Sequence, residues 1–140
     1  MEEFTIQTTF VSFQSIEKLP ASIQSLMQKA IQVRSNAYAP YSNFQVGAAV
    51  LLKSGRVVLG SNQENFPDDE IVCICISGSS AIKDTLEPVP PCGACRQSLL
   101  EYENKQKTVI PIYFMGKSGE VIKSPSIKNL LPFTFKEDSL

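Results

Sequence analysis

Apolar residues recur along this chain with two periods. From Ala21 to Asn36, Ile23, Leu26, Met27, Ala30 and Ile31 fall at i, i+3, i+4, i+7 and i+8. That spacing lines one face of an amphipathic helix. Pro20 sits where a first helical turn tolerates it. Ala39-Pro40-Tyr41-Ser42-Asn43 then breaks the helix. Phe44 to Leu52 is mostly apolar with Gly47 inside it, and Val57 to Leu59 is a second short run. Lys53-Ser54-Gly55-Arg56 between them reads as a hairpin turn. Ile71 to Ile76 is a continuous β-branched-rich run, as expected of a strand covered on both faces. Residues 77–91 are rich in Ser, Gly and Pro and read as loop. Cys95 to about Tyr102 reads as helix, with Leu99 and Leu100 inward. Val109 to Met115 is another strand, Lys117-Ser118-Gly119-Glu120 a turn, and Val121 to Lys123 pairs back. Asn129 to Phe135 is an apolar C-terminal segment. Residues 1–13 alternate loosely at Phe4, Ile6 and Phe10, as an extension or a short strand. The order α-β-β-β-α-β-β predicts a mixed α/β fold over residues 1–140, with 1–18 as an N-terminal extension.

Composition narrows the function. A chain of 140 residues fits one domain with a real core. With 43% apolar and 19% charged residues it reads as an ordinary globular chain. A net charge of -1 offers no surface for a polyanion, so nucleic acid is not an expected partner. No apolar run is long enough to span a bilayer, and no membrane role is expected. Met1-Glu2-Glu3 is acidic and has no apolar signal core, which predicts a cytoplasmic protein.

The candidate chemistry lies in the cysteines. There are four, Cys73, Cys75, Cys92 and Cys95, and no histidine. A disulfide framework does not suit a chain of this size without a signal peptide. Without histidine, Ser-His and Cys-His nucleophile systems are excluded. A zinc site must be built from cysteine, carboxylate or water. Pro91-Cys92-Gly93-Ala94-Cys95-Arg96 sets two thiols on a tight turn just before a helical pattern. Such a pair ligates zinc, works as a thioredoxin-like redox couple, or is two ordinary buried cysteines. The redox motif belongs directly after a first strand, early in a domain, which is not its place here. Cys73 and Cys75 share one face of a strand and read first as small core residues. A four-cysteine structural zinc with Cys92 and Cys95 is disfavoured, because Cys-x-Cys inside a strand is not a zinc knuckle. Asn62-Gln63-Glu64-Asn65 alone reads as a solvated loop.

Four blocks in order carry a resemblance. Tyr38-Ala-Pro-Tyr-Ser-Asn-Phe-Gln-Val-Gly-Ala-Ala49, Gly60-Ser-Asn-Gln-Glu-Asn65, Pro91-Cys-Gly-Ala-Cys-Arg-Gln97 and Leu130-Leu-Pro-Phe-Thr-Phe135 resemble the small, homotetrameric cytidine deaminase family, from about residue 25 to 135. The resemblance implies a mixed five-stranded sheet with flanking helices. It implies zinc-dependent hydrolytic deamination of cytidine and 2′-deoxycytidine to uridine and 2′-deoxyuridine. In zinc deaminases a metal-activated water attacks the ring carbon bearing the amine, and a glutamate shuttles protons. Carried onto this sequence, Cys92 and Cys95 are zinc ligands. Asn62 and Glu64 hold the ribose, Phe44 packs on the nucleoside, and Phe135 reaches a neighbouring subunit's site. Read without the resemblance, Phe44 and Phe135 are aromatics that could equally pack a core. The implied partners are a pyrimidine nucleoside and three further copies of the chain.

One block is absent. The family carries Cys-Ala-Glu-Arg at the start of a helix, where the cysteine is the third zinc ligand and the glutamate the proton shuttle. Here Asn65 runs straight into Phe66-Pro67-Asp68-Asp69-Glu70, and Cys-Ala-Glu occurs nowhere in the chain. Cys73 and Cys75 lie inside a strand and do not replace it. Glu64 is assigned to the sugar, and Glu70 sits at the start of a strand with no helix to aim it. The catalytic glutamate is therefore without a candidate. A helical crossover needs a dozen or more residues, and losing its helix would bare one face of the sheet. The favoured expectation is that a segment is missing between Asn65 and Phe66, so that the parent protein is an ordinary deaminase. The alternative is a true deletion, leaving a non-catalytic nucleoside-binding or oligomeric relative.

Overall fold

The computed structural model describes residues 1–36, 44–60, 68–80 and 82–135. The helical spacing after Pro20 forms α1 (Ala21–Ser35), which buries Ile23, Leu26, Met27 and Ala30. The Pro20 carbonyl accepts the amides of Ile23 and Gln24, both at 2.9 Å, and starts the helix. The hairpin follows as expected: β2 (Phe44–Leu52) pairs antiparallel with β3 (Val57–Leu59). Its turn needs Gly55, whose φ of 95° suits a residue without a side chain.

The remaining elements are β1 (Val11–Phe13), β4 (Ile71–Ser80), α2 (Gly93–Gln106), β5 (Ile112–Met115) and β6 (Val121–Ser124). Together the strands form one sheet in the order β1-β6-β5-β4-β2-β3. Among the described strands only β4 and β5 run parallel; α2 makes the crossover between them. The sheet has six strands rather than five. Part of the N-terminal extension supplies the sixth, because Val11–Phe13 pairs with β6 in the register Val11↔Lys123 to Phe13↔Val121.

Three boundaries differ from the sequence reading. β4 continues through Ser80, into residues expected to be loop, because Ser77, Gly78 and Ser79 stay in register with Gly47, Val46 and Gln45. Buried Ser77 is satisfied there, donating to the Gly116 carbonyl at 2.8 Å and accepting from Arg34 Nη1 at 2.7 Å. α2 runs past Tyr102 until Lys107, whose left-handed φ of 60° ends it. β5 begins at Ile112 rather than Val109, since Pro111 lacks an amide and the Ile110 amide goes to Glu103.

The sheet divides the core. On one face α1 packs Leu26, Met27 and Ala30 against Ala49, Cys73, Cys75, Tyr113 and Met115. A Cβ on Gly47 would lie 1.9 Å from the Ala30 carbonyl, so only glycine lets α1 sit this close. On the other face Leu99, Leu100 and Tyr102 of α2 join Val50, Ile74, Ile76, Ile112 and Phe114. Side chains alternate along β2, so Phe44, Val46 and Ala48 belong to this second face. It thins out there: Val46 is 47% exposed, while Gly47 and Ala49 beneath α1 are buried. The expectation that Ile71–Ile76 is covered on both faces fails at Val72, which is 43% exposed.

Candidate functional site

Pro90 and Pro91 deliver the chain to α2, whose first turn carries both thiols. Cys92 immediately precedes the helix with an extended backbone, and its carbonyl accepts the Arg96 amide at 2.9 Å. Cys95 lies three residues on. Both are exposed and unpaired, which removes the reading of this pair as ordinary buried cysteines. The amide of Cys95 and then its thiol face the Cys92 sulfur, without closing a normal cap hydrogen bond, and hold the Cys92 thiol below its ordinary pKa. Aligned amides at a helix N-terminus favour a negative charge. Cys95 is pushed up, first by its hydrogen bond to Cys92 and then by partial burial. The contact between the two sulfurs favours a single thiolate shared by the pair.

Arg96 and Gln97 brace this turn. Arg96 Nε donates to the Pro91 carbonyl at 2.8 Å and Nη1 to the Leu130 carbonyl at 3.1 Å. Gln97 Nε2 donates to the Phe135 carbonyl at 3.1 Å. The cysteine turn and the C-terminal segment are therefore one unit. In the sequence, position directly after the cysteine pair is the one signal that Arg96 and Gln97 carry for this role. A cleft of about 350 Å³ borders Arg96, between Ile6 and Phe10 of the N-terminal arm and Phe114 and Leu130, but the cysteines do not line it.

The other expected residues are spread. Phe44 opens β2, half-buried, and a Cβ on Gly78 would come within 3.2 Å of its ring. It shares the α2 face of the sheet. Phe135 is tied to α2 through its carbonyl, but its side chain is 57% exposed. Asn62 and Glu64 lie outside the described residues, as do residues 37–43 and the junction of Asn65 with Phe66. Cys73 and Cys75 are buried under α1, across the sheet from α2, so the four-cysteine site does not form.

Two thiolates are soft donors suited to zinc, but a catalytic zinc takes three protein ligands. Among the described residues no group of three His, Cys, Asp or Glu is placed to hold a metal ion. The described donor set is one ligand short and does not fit a catalytic zinc by itself.

Residues 20–111 match the family model of the cytidine and deoxycytidylate deaminase zinc-binding region. The chain belongs to this deaminase family. A cytidine deaminase of Halalkalibacterium halodurans is 35% identical over 131 residues, covering 84% of this chain and 96% of the relative. One from Sporosarcina psychrophila is 31% identical, covering 84% and 94%. Among solved structures, the fold is similar to cytidine deaminase from Burkholderia pseudomallei, with a TM-score of 0.66, 29% identity, and coverage of 79% of this chain and 97% of that one. The alignment with the Halalkalibacterium relative runs over 131 residues, more than 84% of a 140-residue chain provides. That deaminase therefore holds residues with no counterpart here.

Proposed function

We propose that this chain is the body of a zinc-dependent hydrolytic deaminase that converts cytidine and 2′-deoxycytidine to uridine and 2′-deoxyuridine. Cys92 and Cys95 are two of its zinc ligands. Asn62 and Glu64 hold the ribose, and Phe44 and Phe135 flank the nucleoside. The carrying observation is the exposed, free Cys92–Cys95 pair at the start of α2, inside the matched deaminase region. An amide and a carboxylate suit sugar hydroxyls, which both donate and accept. The working form is a cytoplasmic homotetramer in which Phe135, exposed in the single chain, meets a neighbour's site.

The third ligand and the proton-shuttling glutamate belong, in this proposal, to a segment between Asn65 and Phe66 that the sequence lacks. Two observations support it. The relatives carry residues without a counterpart here. The α2 face of the sheet is open at Val46, where a further helix would find apolar surface to cover. The second reading, a non-catalytic relative, is favoured by the absence of any Cys-Ala-Glu from the sequence. Intact mass and a cytidine absorbance assay with added zinc separate the two. Turnover by a protein heavier than 15.4 kDa supports the missing segment, and turnover by a chain verified at that mass removes it. An inactive chain at that mass, expressed from an intact gene, leaves the non-catalytic reading.

A further inference from the structure

We propose that the cleft beside the N-terminal arm binds a small organic anion with an apolar body, of the aromatic carboxylate class. The site is separate from the deaminase site and does not rest on that reading. The cysteines do not line the cleft, and the arm lies ahead of the matched deaminase region, which begins at residue 20. The cleft holds about 350 Å³, at the small end of ligand pockets. Its walls are mostly apolar, with Ile6 and Phe10 from the arm and Phe114 and Leu130 from the body. Phenylalanine rings on both sides suit a flat aromatic ligand.

Arg96 is the one charged side chain in this lining, which holds no carboxylate. It is half-buried. Its Nε and Nη1 donate to the carbonyls of Pro91 and Leu130, which are neutral and leave its charge uncompensated. Among the described residues no acidic group pairs with Arg96. Further N–H donors remain on Nη1 and Nη2. A cation drawn partly out of water attracts an anion more strongly than an exposed one, and the planar guanidinium matches a carboxylate. The arm is fastened as a wall of the cleft. Asn129 Nδ2 donates to the Thr9 carbonyl at 3.1 Å, and the Phe4 ring meets that of Phe133 edge-on at 6.4 Å.

The test uses the full chain labelled with nitrogen-15 and phenylacetate as the probe, at constant pH and ionic strength. Phenylacetate is expected to move the amides of Ile6, Thr8, Phe10 and Asn129 saturably, with a Kd of about 1–10 mM. Phenylacetamide, its uncharged analogue, is expected to bind about tenfold more weakly or worse. Arg96→Gln is expected to weaken phenylacetate by a similar factor. Phe10→Asp sets a repelling charge on a side chain that is 41% exposed, so it keeps the test open if Arg96→Gln does not fold. It too is expected to weaken binding about tenfold. No saturation, equal binding of acid and amide, unchanged affinity in Phe10→Asp, or shifts confined to the cysteine turn each overturn the proposal. The readout does not use deamination, so failure of the deaminase reading leaves it unaffected.

Discussion

The amide of Ile127 donates to Oε2 of Glu103 at 2.7 Å, joining the C-terminal part of the chain to the last turn of α2. The same carboxylate accepts the amides of Ile110 at 2.9 Å and Lys128 at 3.1 Å. Glu103 is only 6% exposed, so its charge is compensated by these backbone donors. Glu103→Ala leaves the buried amides of Ile110 and Ile127 without an acceptor. The expected loss is about 3 kcal/mol or more, read as a lower urea midpoint at unchanged slope. A change below about 1 kcal/mol would show that water replaces the carboxylate.

Gly47 and Ala30 set how near α1 lies to the sheet. In Gly47→Ala the new Cβ meets the Ala30 carbonyl at 1.9 Å and the Arg34 amide at 2.4 Å, and both are backbone atoms. The expected result is a loss of more than about 3 kcal/mol or failure to fold. Gly55→Ala meets no atom within 4 Å but keeps a φ of 95°. It is expected to lose about 1–2 kcal/mol. Thermal unfolding of both variants checks this order.

Burial raises the Cys73 thiol from about 9 to about 11, and raises that of Cys75 further. The unfolded chain therefore releases these protons first as pH rises. Their contribution to stability is present below pH about 9 and is lost progressively toward and beyond pH about 11. Urea midpoints measured across this window should fall more steeply for the parent chain than for Cys73→Ala. Parallel curves would contradict the burial argument.

The same electrostatics separate the exposed pair from the buried one. Cys92 is held below the ordinary thiol range, chiefly by the Cys95 amide. Its alkylation by iodoacetamide should therefore reach half-maximal rate at lower pH than a free thiol, for which the midpoint is about 8.5. Cys73 and Cys75 should stay unmodified until the chain unfolds. Early labelling of either would contradict their placement under α1.

The sequence made the main elements legible wherever one period ran uninterrupted, as in Ile23 to Ile31 and Phe44 to Leu52. It did not reveal the continuation of β4, because Ser77 and Ser79 look like loop residues until Arg34 and Gly116 satisfy Ser77 inside the sheet. Val11–Phe13 is too short to show a period, and its partner lies over a hundred residues away. Spacing alone singled out Cys92 and Cys95, but their exposure comes from the geometry of the turn. Glu103 reads as a solvated helix charge until three distant amides converge on it. Asn62 and Glu64 rest on the sequence pattern alone.

Insertion into this chain, between Asn65 and Phe66, of a helix-length segment that carries the family's Cys-Ala-Glu-Arg block tests the central claim most directly. Loss of cytidine absorbance is followed with zinc present, and bound zinc is counted on the same sample. The account predicts one zinc per chain and steady deamination in the grafted protein, with neither in the parent chain. A grafted chain that folds but stays metal-free and inactive would contradict it.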